Sequence, residues 1–121
     1  TRCSQVSWAR DVYKRQALHR AERSDEAIPV LEAVTAAEPI FLPPYITLGI
    51  AYRSVGNLAA AEATYRRALT VSDRYHFAWY NLGNVLLDLG KRDEAAAAFE
   101  KTLVLKPDFS PARDGLRRAG R

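Results

Sequence analysis

Apolar residues recur along this chain at helical spacing, and the same pattern returns after a fixed interval. Apolar positions that lie three or four residues apart predict an α-helix with one buried side. One such stretch contains Tyr45, Leu48, Gly49 and Tyr52, and the stretch 34 residues later contains Trp79, Leu82, Gly83 and Leu86. A period of this length is typical of stacked helical hairpins. We therefore predict an all-α array in which each hairpin packs on the next.

A second apolar stripe follows each of these helices and completes the hairpin. It combines a small residue with a large one, Ala61 with Tyr65 and then Ala95 with Phe99, and Ala27 stands in the same register. A hairpin with two apolar stripes cannot bury both of them alone, so neighbouring hairpins must stack.

Glycine and proline mark the predicted helix ends. Gly56 and Gly90 each stand between the two stripes of a hairpin, where a glycine in the left-handed conformation ends a helix without steric cost. Pro39 and Pro107 follow the second helices and prevent them from continuing.

Polar residues mark the predicted helix starts. Asp93 and Glu94 open a second helix, where the helix dipole favours carboxylates. Ser24 is a candidate N-cap for the first unit, and Ser110 followed by Pro111 is a candidate N-cap and first turn for the last helix.

Small and large residues are predicted to complement each other in the core. Gly49 and Gly83 on first helices allow a neighbouring backbone to come close, and large aromatic residues fill the space beside them. These aromatic residues are Tyr45, Tyr65, Trp79 and Phe99.

The last helix departs from the pattern in a way that suits the end of an array. Leu116 falls in the register of Leu48 and Leu82, but Arg113 occupies the aromatic position and Arg117 the glycine position. A terminal helix needs a charged outer side to keep the last apolar surface from water. We therefore predict a capping helix.

The repeated residues resemble the tetratricopeptide repeat family. Trp79, Leu82-Gly83, Ala95, Phe99 and Pro107 match the family pattern, and the middle unit departs from it only in Tyr45, Tyr65 and Asp73. The resemblance implies a right-handed superhelix whose concave face, lined by first helices, binds a peptide segment of a partner; it implies no reaction. We predict a helical-hairpin solenoid with a partial first repeat at 17–41, full repeats at 42–75 and 76–109, and a capping helix and tail at 110–121.

The N-terminal segment breaks the register abruptly. An aromatic residue, a leucine and a glycine are due at positions held by Asp11, Lys14 and Arg15. Residues 6–16 resemble the translation of a transposase adaptor used in short-read library preparation, with one base lost between its two parts. We therefore predict that residues 1–16 are non-native and leave them out of the functional argument. The alternative is a degenerate native first helix.

Removing that segment changes the interpretation of the charge. The full chain carries 18 Lys+Arg against 14 Asp+Glu, whereas residues 17–121 carry 14 against 13. The remaining basic cluster, Arg113, Arg117, Arg118 and Arg121, suits the solvated side of a terminal helix better than a nucleic-acid surface, which would combine a basic stripe with stacking aromatics. We expect no nucleic-acid partner.

Other classes of function find no support in the sequence. The single cysteine, Cys3, lies in the suspect segment, and no apolar run approaches the ~20 residues of a membrane span. His19 and His76 have no ligand-spaced partners, so we interpret both as surface histidines and expect no metal or other cofactor. We expect no enzymatic activity in these residues, no membrane association and a cytoplasmic location. The lack of methionine indicates a fragment of a longer protein.

Spacing predicts which residues a partner would meet. The inward stripe of the first helices contains Ile46, Thr47, Ile50 and Arg53 in the middle unit and Phe77, Tyr80, Asn81 and Asn84 in the last full unit. Exposed asparagine amides can both donate to and accept from an extended peptide backbone, and aromatic residues commonly anchor interfaces. The alternatives are that the asparagines are merely solvated and that the isoleucines pack against neighbouring helices.

These residues favour a protein–protein interaction module that binds an extended peptide or a partner helix. Some relatives hold a terminal carboxylate with Lys, Asn and Arg, but the inward positions that we assign to such a clamp are Ile46, Ile50, Asn81 and Pro111, so we expect none here. Two other interpretations remain open. The repeats could present substrate in a larger glycosyltransferase- or sulfotransferase-like enzyme, as the Asn81 to Asn84 segment resembles, or self-associate through the exposed N-terminal face.

Overall fold

The protein forms a row of α-helices joined by short connections. The computed structural model describes residues 9–10 and 24–121. Residues 24–121 contain six helices: α1 (Ser24–Ala37), α2 (Pro43–Ser54), α3 (Leu58–Val71), α4 (His76–Asp88), α5 (Arg92–Leu105) and α6 (Ser110–Arg118). The predicted repeat boundaries after residues 41, 75 and 109 all fall between helices. Apart from Ala9 and Arg10, the predicted non-native segment 1–16 lies outside the described residues.

Each helix packs on the next, and the first helices of the hairpins also meet directly. α2 pairs with α3 and α4 with α5, while α1 with α2, α3 with α4, and α5 with α6 join successive hairpins. In addition, α4 contacts both α2 and α6. The first helices therefore form one continuous layer, which confirms the predicted all-α solenoid.

Two glycines end helices, as predicted. Gly56 and Gly90 have φ angles of 83° and 80°, in the left-handed region that a residue with a Cβ rarely adopts. The next helix after Gly56 begins with a cap that the sequence reasoning missed, because the Asn57 side chain accepts a hydrogen bond from the Ala60 amide at 3.2 Å.

The predicted helix starts are confirmed in part by the structure. Asp93 and Glu94 lie in the first turn of α5, and Pro111 lies in the first turn of α6, as predicted. The prediction of Ser110 as an N-cap is wrong, since Phe109 precedes the helix and makes no side-chain cap. α1 begins at Ser24, whose side chain lies outside the described atoms, so its capping role stays a prediction.

The glycine positions on the first helices are filled by aromatic rings. A Cβ added to Gly49 would overlap the ring of Tyr65, and one added to Gly83 would lie 2.7 Å from the ring of Phe99. Both rings are buried, with exposed fractions of 1% for Tyr65 and 0% for Phe99. The predicted complementarity of small and large residues is confirmed for Tyr65 and Phe99.

α6 reaches the same core through a glycine that the sequence reasoning overlooked. A Cβ on Gly115 would lie 2.6 Å from the Phe99 ring, so this ring is enclosed between α4 and α6. The repeat register placed the glycine position at Arg117, which is exposed. This contact joins α6 to the preceding helix, whereas Gly49 and Gly83 each contact the helix that follows them, so it is distinct from the contact that the repeat register describes. The arginines of α6 remain exposed.

One hydrogen bond recurs in each of the three successive hairpin junctions. The Tyr45 hydroxyl donates to the carbonyl of Pro39 at 2.7 Å, and the Trp79 indole donates to the carbonyl of Asp73 at 2.7 Å. In the terminal helix the Arg113 guanidinium donates to the carbonyl of Pro107 at 2.8 Å. Arginine thus replaces the aromatic residue at this position and still supplies the donor that ties each first helix to the preceding turn.

Candidate functional site

The predicted partner-binding residues lie together on the layer of first helices. We call this surface the inner wall; it is the part of α2 and α4 that carries Ile46, Thr47, Ile50, Arg53, Phe77, Tyr80, Asn81 and Asn84. The two halves meet because α2 packs against α4. An ion pair between Arg53 and Asp88 also joins them, with a second bond of 3.2 Å between Arg53 Nη2 and Asp88 Oδ1.

Two apolar side chains of the inner wall remain substantially exposed. Ile50 is 39% exposed and Phe77 is 40% exposed, whereas Ile46 and Tyr80 are half-buried and belong to the periphery of the core. Thr47 is nearly buried, at 7% exposure. Ile50 and Phe77 are therefore the apolar groups of this surface that a partner could cover.

The asparagines are less available than their spacing predicts. The Asn81 side-chain amide donates to the carbonyl of Phe77, one turn earlier in its own helix, at 2.8 Å. Asn84 is only 7% exposed, and its Oδ1 accepts a hydrogen bond from Arg118 at 3.0 Å. The expectation of two freely exposed amides is wrong, because α6 packs on α4 and places a long side chain over Asn84.

Arg118 is a component of the inner wall that the sequence reasoning missed. It lies 34 residues after Asn84, which itself lies 34 residues after Ile50, so the repeat period could have assigned it to this wall. Its bond to Asn84 is to a neutral oxygen. Among the described residues no carboxylate pairs with Arg118, so the wall carries an uncompensated positive charge with further N–H donors.

A cluster of aromatic rings borders the wall at the start of α4. The Phe109 ring, from the turn before α6, makes edge-on contacts with Phe77 at 5.9 Å and with Tyr80 at 5.1 Å between ring centres. Edge-on geometry is a favoured arrangement for aromatic pairs. Phe109 therefore supports Phe77, which remains 40% exposed.

His76 belongs to this cluster and is not the surface histidine that the sequence predicts. Its ring lies 4.1 Å from Phe77 between centres, and its Nε2 is buried without a hydrogen-bond partner in the described part of the chain. Burial lowers the pKa of His76 below its ordinary value, the charge of Lys106 adds to this effect, and Asp108 opposes it. The other histidine, His19, lies outside the described residues.

The lowered pKa of His76 predicts a loss of stability in mild acid. The unfolded state binds the proton more tightly, so this contribution to the free energy of unfolding is complete above the ordinary pKa of about 6.5 and is lost as pH falls below it toward the folded-state value. Thermal unfolding between about pH 7.5 and about pH 5 measures the effect. We expect His76→Gln to show a smaller acid-induced fall in melting temperature than the native chain; equal falls would contradict the assignment.

The described residues hold no group that points to other chemistry. Within 9–10 and 24–121, no three His, Cys, Asp or Glu side chains converge as a metal site would require. In the same part of the chain no helix is long and apolar enough to cross a membrane. The predicted self-association involves the N-terminal face, which falls largely outside the described residues, and it stays a prediction.

Comparison with known proteins gives the same architecture. Anaphase-promoting complex subunit 3 of Schizosaccharomyces pombe is 26% identical over 85 residues, which cover 70% of this chain but only 13% of the relative. The solved second domain of human RPAP3, in complex with an HSP70 peptide, has a TM-score of 0.86 at 21% identity and covers 100% of this chain and 99% of that one. The first domain of Spaghetti (RPAP3), bound to an HSP90 peptide, has a TM-score of 0.79 at 23% identity and covers 98% and 90%.

The family assignment follows from a sequence profile as well as from the fold. At the identities of the two solved domains, the structural likeness establishes the fold alone. The profile of the tetratricopeptide repeat matches residues 46–109, which is more than half of the 121 residues. The chain belongs to the tetratricopeptide repeat family.

Proposed function

We propose that this protein is an interaction module whose inner wall binds an extended peptide segment of a partner protein. The observation that carries the proposal is the exposure of Ile50 and Phe77 on one continuous layer of helices. Large apolar side chains that stay exposed on one surface are found where proteins bind a partner. Aromatic residues in particular contribute much of the binding energy at interfaces.

The polar groups of the wall suit a peptide backbone. Arg118 is exposed and has N–H groups beyond the one that bonds Asn84. These groups can donate to the carbonyl oxygens or a carboxylate of a bound segment. The solved relatives in complex with HSP90 and HSP70 peptides support peptide binding by this fold.

The wall favours a segment that is apolar along most of its length. Ile46 and Ile50 occupy inward positions of α2, and the ion pair between Arg53 and Asp88 neutralises the charge at the far end of that helix. Arg118 remains the cation available to an acidic group. The inner wall is short, so we expect it to bind a peptide with micromolar affinity, about −8 kcal/mol. Any further domains would add avidity.

Removing the two exposed apolar groups tests the proposal. A peptide of about nine residues, selected on the native chain from a random display library, serves as the probe, since nine extended residues span roughly 30 Å. We expect the double variant Ile50→Ala with Phe77→Ala to bind it at least about tenfold more weakly, a loss of about 1.4 kcal/mol. Calorimetric titration measures the change.

A matched control tests whether the loss of binding depends on where the apolar residues are removed. Ile40 and Val104 are 80% and 72% exposed and lie outside the inner wall, so Ile40→Ala with Val104→Ala removes a similar amount of exposed apolar surface. This control is expected to bind the peptide as the native chain does. Equal affinity of both double variants, with helicity retained in circular dichroism, would contradict the proposal.

A further inference from the structure

The two successive grooves between hairpins differ in a way that leaves one of them open. The second groove lies between the hairpin α2–α3 and the hairpin α4–α5, and it is a cavity of about 580 Å³. Its floor is formed by Trp79, Leu82, Leu86, Ala97 and Ala98, and its charged rim by Arg66, Asp73, Glu94 and Lys101. None of these residues belongs to the inner wall, so the groove is a separate surface.

In the first groove, one repeat earlier, side chains of the two hairpins are joined across the gap. The Tyr52 hydroxyl donates to Glu32 Oε1 at 2.9 Å, and Arg67 Nη2 lies 3.3 Å from the same oxygen. The Arg67 guanidinium also lies over the Tyr45 ring, 5.7 Å from its centre. One carboxylate thus joins a tyrosine and an arginine from the next hairpin and bridges the gap.

The residues at the same register in the second groove cannot form that network. Glu32, Tyr52 and Arg67 correspond, 34 residues later, to Arg66, Leu86 and Lys101. Leucine has no hydroxyl group, and an arginine stands where the bridging carboxylate would be. The two cations cannot pair with each other, and the groove stays open above the exposed Ala97 and the buried Ala98.

The charges of the rim show where an acidic group is missing. Arg66 is held on its own helix by Glu62 at 2.8 Å and lies 4.0 Å from Glu94. Lys101 takes part in none of the ion pairs formed within the described residues. In the first groove the corresponding cation, Arg67, has its carboxylate in Glu32. Lys101 therefore lacks, in the second groove, the carboxylate partner that Glu32 provides to Arg67 in the first groove.

We propose that the second groove binds a short acidic peptide segment, with an apolar side chain seated over Ala97 and Ala98 beside Trp79 and a carboxylate next to Lys101. The bound carboxylate takes the place that Glu32 holds in the first groove. Leu86 stands where the first groove has Tyr52, and Arg66 stands where it has Glu32. The apolar side chain fills the space that these two differences leave open.

The dimensions of the groove suit about three residues of extended peptide. Glu94, Ala97, Ala98 and Lys101 follow one another along α5, and seven residues of helix span about 10 Å. An extended chain covers that distance in about three residues, and its side chains at positions i and i+2 point to the same side. The cavity volume of about 580 Å³ is in the range of small-ligand sites.

The rim also argues against a nucleic acid as the occupant. Asp73 and Glu94 balance Arg66 and Lys101 in number. A phosphate backbone is attracted by a surplus of positive charge spread along a surface, which this groove does not offer. A single carboxylate beside an apolar side chain needs only one unpaired cation.

A small defined probe tests the proposal. Acetyl-Phe-Ser-Glu-amide places an aromatic ring and a carboxylate on one side of an extended chain, and its binding is followed by NMR of the ¹⁵N-labelled protein. We expect saturable shifts of the Trp79 indole N–H and of the amides of Ala97, Ala98 and Lys101. Replacing the glutamate of the probe by glutamine or lysine, or its phenylalanine by alanine, is expected to weaken binding by about threefold or more, the size of a partly exposed ion pair or apolar contact.

Two variants with a matched control assign the site. Ala97→Phe fills the groove and is expected to abolish the shifts, whereas Ala63→Phe, at the corresponding exposed position of α3, 34 residues earlier, leaves them unchanged. Lys101→Gln removes the cation without adding bulk and is expected to remove the preference for glutamate over glutamine. The spectra of the free variants report whether each one folds.

The results that would overturn this proposal differ from those that would overturn peptide binding by the inner wall. Absence of saturable shifts, equal binding of the lysine-containing probe, or binding that survives Ala97→Phe would each rule it out. Shifts confined to Ile50 and Phe77 would place the probe on the inner wall and overturn the second site alone. The double variant Ile50→Ala with Phe77→Ala is expected to retain the shifts in the second groove.

Discussion

Phe99→Ala is expected to lower the free energy of unfolding by about 3–5 kcal/mol, the usual cost of truncating a fully buried aromatic residue. The Phe99 ring has no solvent exposure, and it fills the space against both Gly83 and Gly115. Its removal leaves a cavity at the junction of α4, α5 and α6. Because small domains have only about 5–15 kcal/mol of stability in total, this change removes a large part of it.

Urea denaturation followed by circular dichroism measures this loss. Val104→Ala serves as the control, since Val104 lies on the same helix but is 72% exposed. Its effect is expected to stay within about 0.5 kcal/mol, as for other surface changes. A loss of less than about 1 kcal/mol for Phe99→Ala would show that this ring does not hold the three helices together.

Gly49→Ala is expected to destabilise the protein by about 1–3 kcal/mol, against the usual preference of helices for alanine. Gly49 lies inside α2, and an added Cβ would overlap the buried ring of Tyr65. Tyr65 is 1% exposed, so its ring has no free space into which it can withdraw. Either the ring or the backbone of α2 must shift, and that shift disturbs the packing of α2 on α3.

A reverse substitution and a double variant identify the cause. Ala63→Gly, at an exposed position within α3, should lose about 1 kcal/mol, because there only helix propensity acts. Combining Gly49→Ala with Tyr65→Leu should cost less than the sum of the two single changes, since the smaller side chain makes room for the Cβ. Additive costs, or a stabilising effect of Gly49→Ala alone, would refute the steric account.

The fold was predictable because the repeat carries local signals that agree with one another. Gly56 and Gly90 must adopt positive φ angles, which only glycine tolerates well, so their positions marked the helix ends. Gly49 and Gly83 are one period apart, as are Tyr65 and Phe99, so the same contact between glycine and ring recurs in both hairpins.

The terminal helix was predictable only in outline. Its charged residues indicated a cap, but its close contact with Phe99 through Gly115 was not expected. Gly49 and Gly83 each contact a ring of the helix that follows, so their period describes the contact within a hairpin, whereas Gly115 contacts the preceding helix α5. In the same way, Arg113 looked like a lost aromatic residue, yet it keeps the hydrogen bond that Tyr45 and Trp79 make.

The chemistry of the candidate binding surface was harder to predict than its position in the sequence. Helical spacing assigned the inward stripe to α2 and α4, which contact each other; that this stripe binds a partner stays a prediction. The exposure of Asn84, however, depends on a long side chain from the next repeat, and Arg118 covers it. Spacing within one helix contains no information on such coverage, whereas the comparison of equivalent positions 34 residues apart does.

The same comparison separates the two proposed surfaces. The inner wall depends on exposed apolar groups of first helices, chiefly Ile50 and Phe77. The second groove depends on the loss of a bridge that Glu32 and Arg67 form one repeat earlier. Since the two surfaces share no residue, a protein that uses both can hold two segments at once, and each can be disabled without the other.

The most direct test of the central claim is to map the bound peptide on the ¹⁵N-labelled protein by its amide shifts. The peptide is the one selected on the native chain, added to saturation. The inner-wall account predicts that the largest shifts fall on α2, α4 and α6, with Ile50, Phe77 and Arg118 among them, and that α3 shifts little. Shifts concentrated on α3 and α5, with Ile50 and Phe77 unchanged, would contradict it.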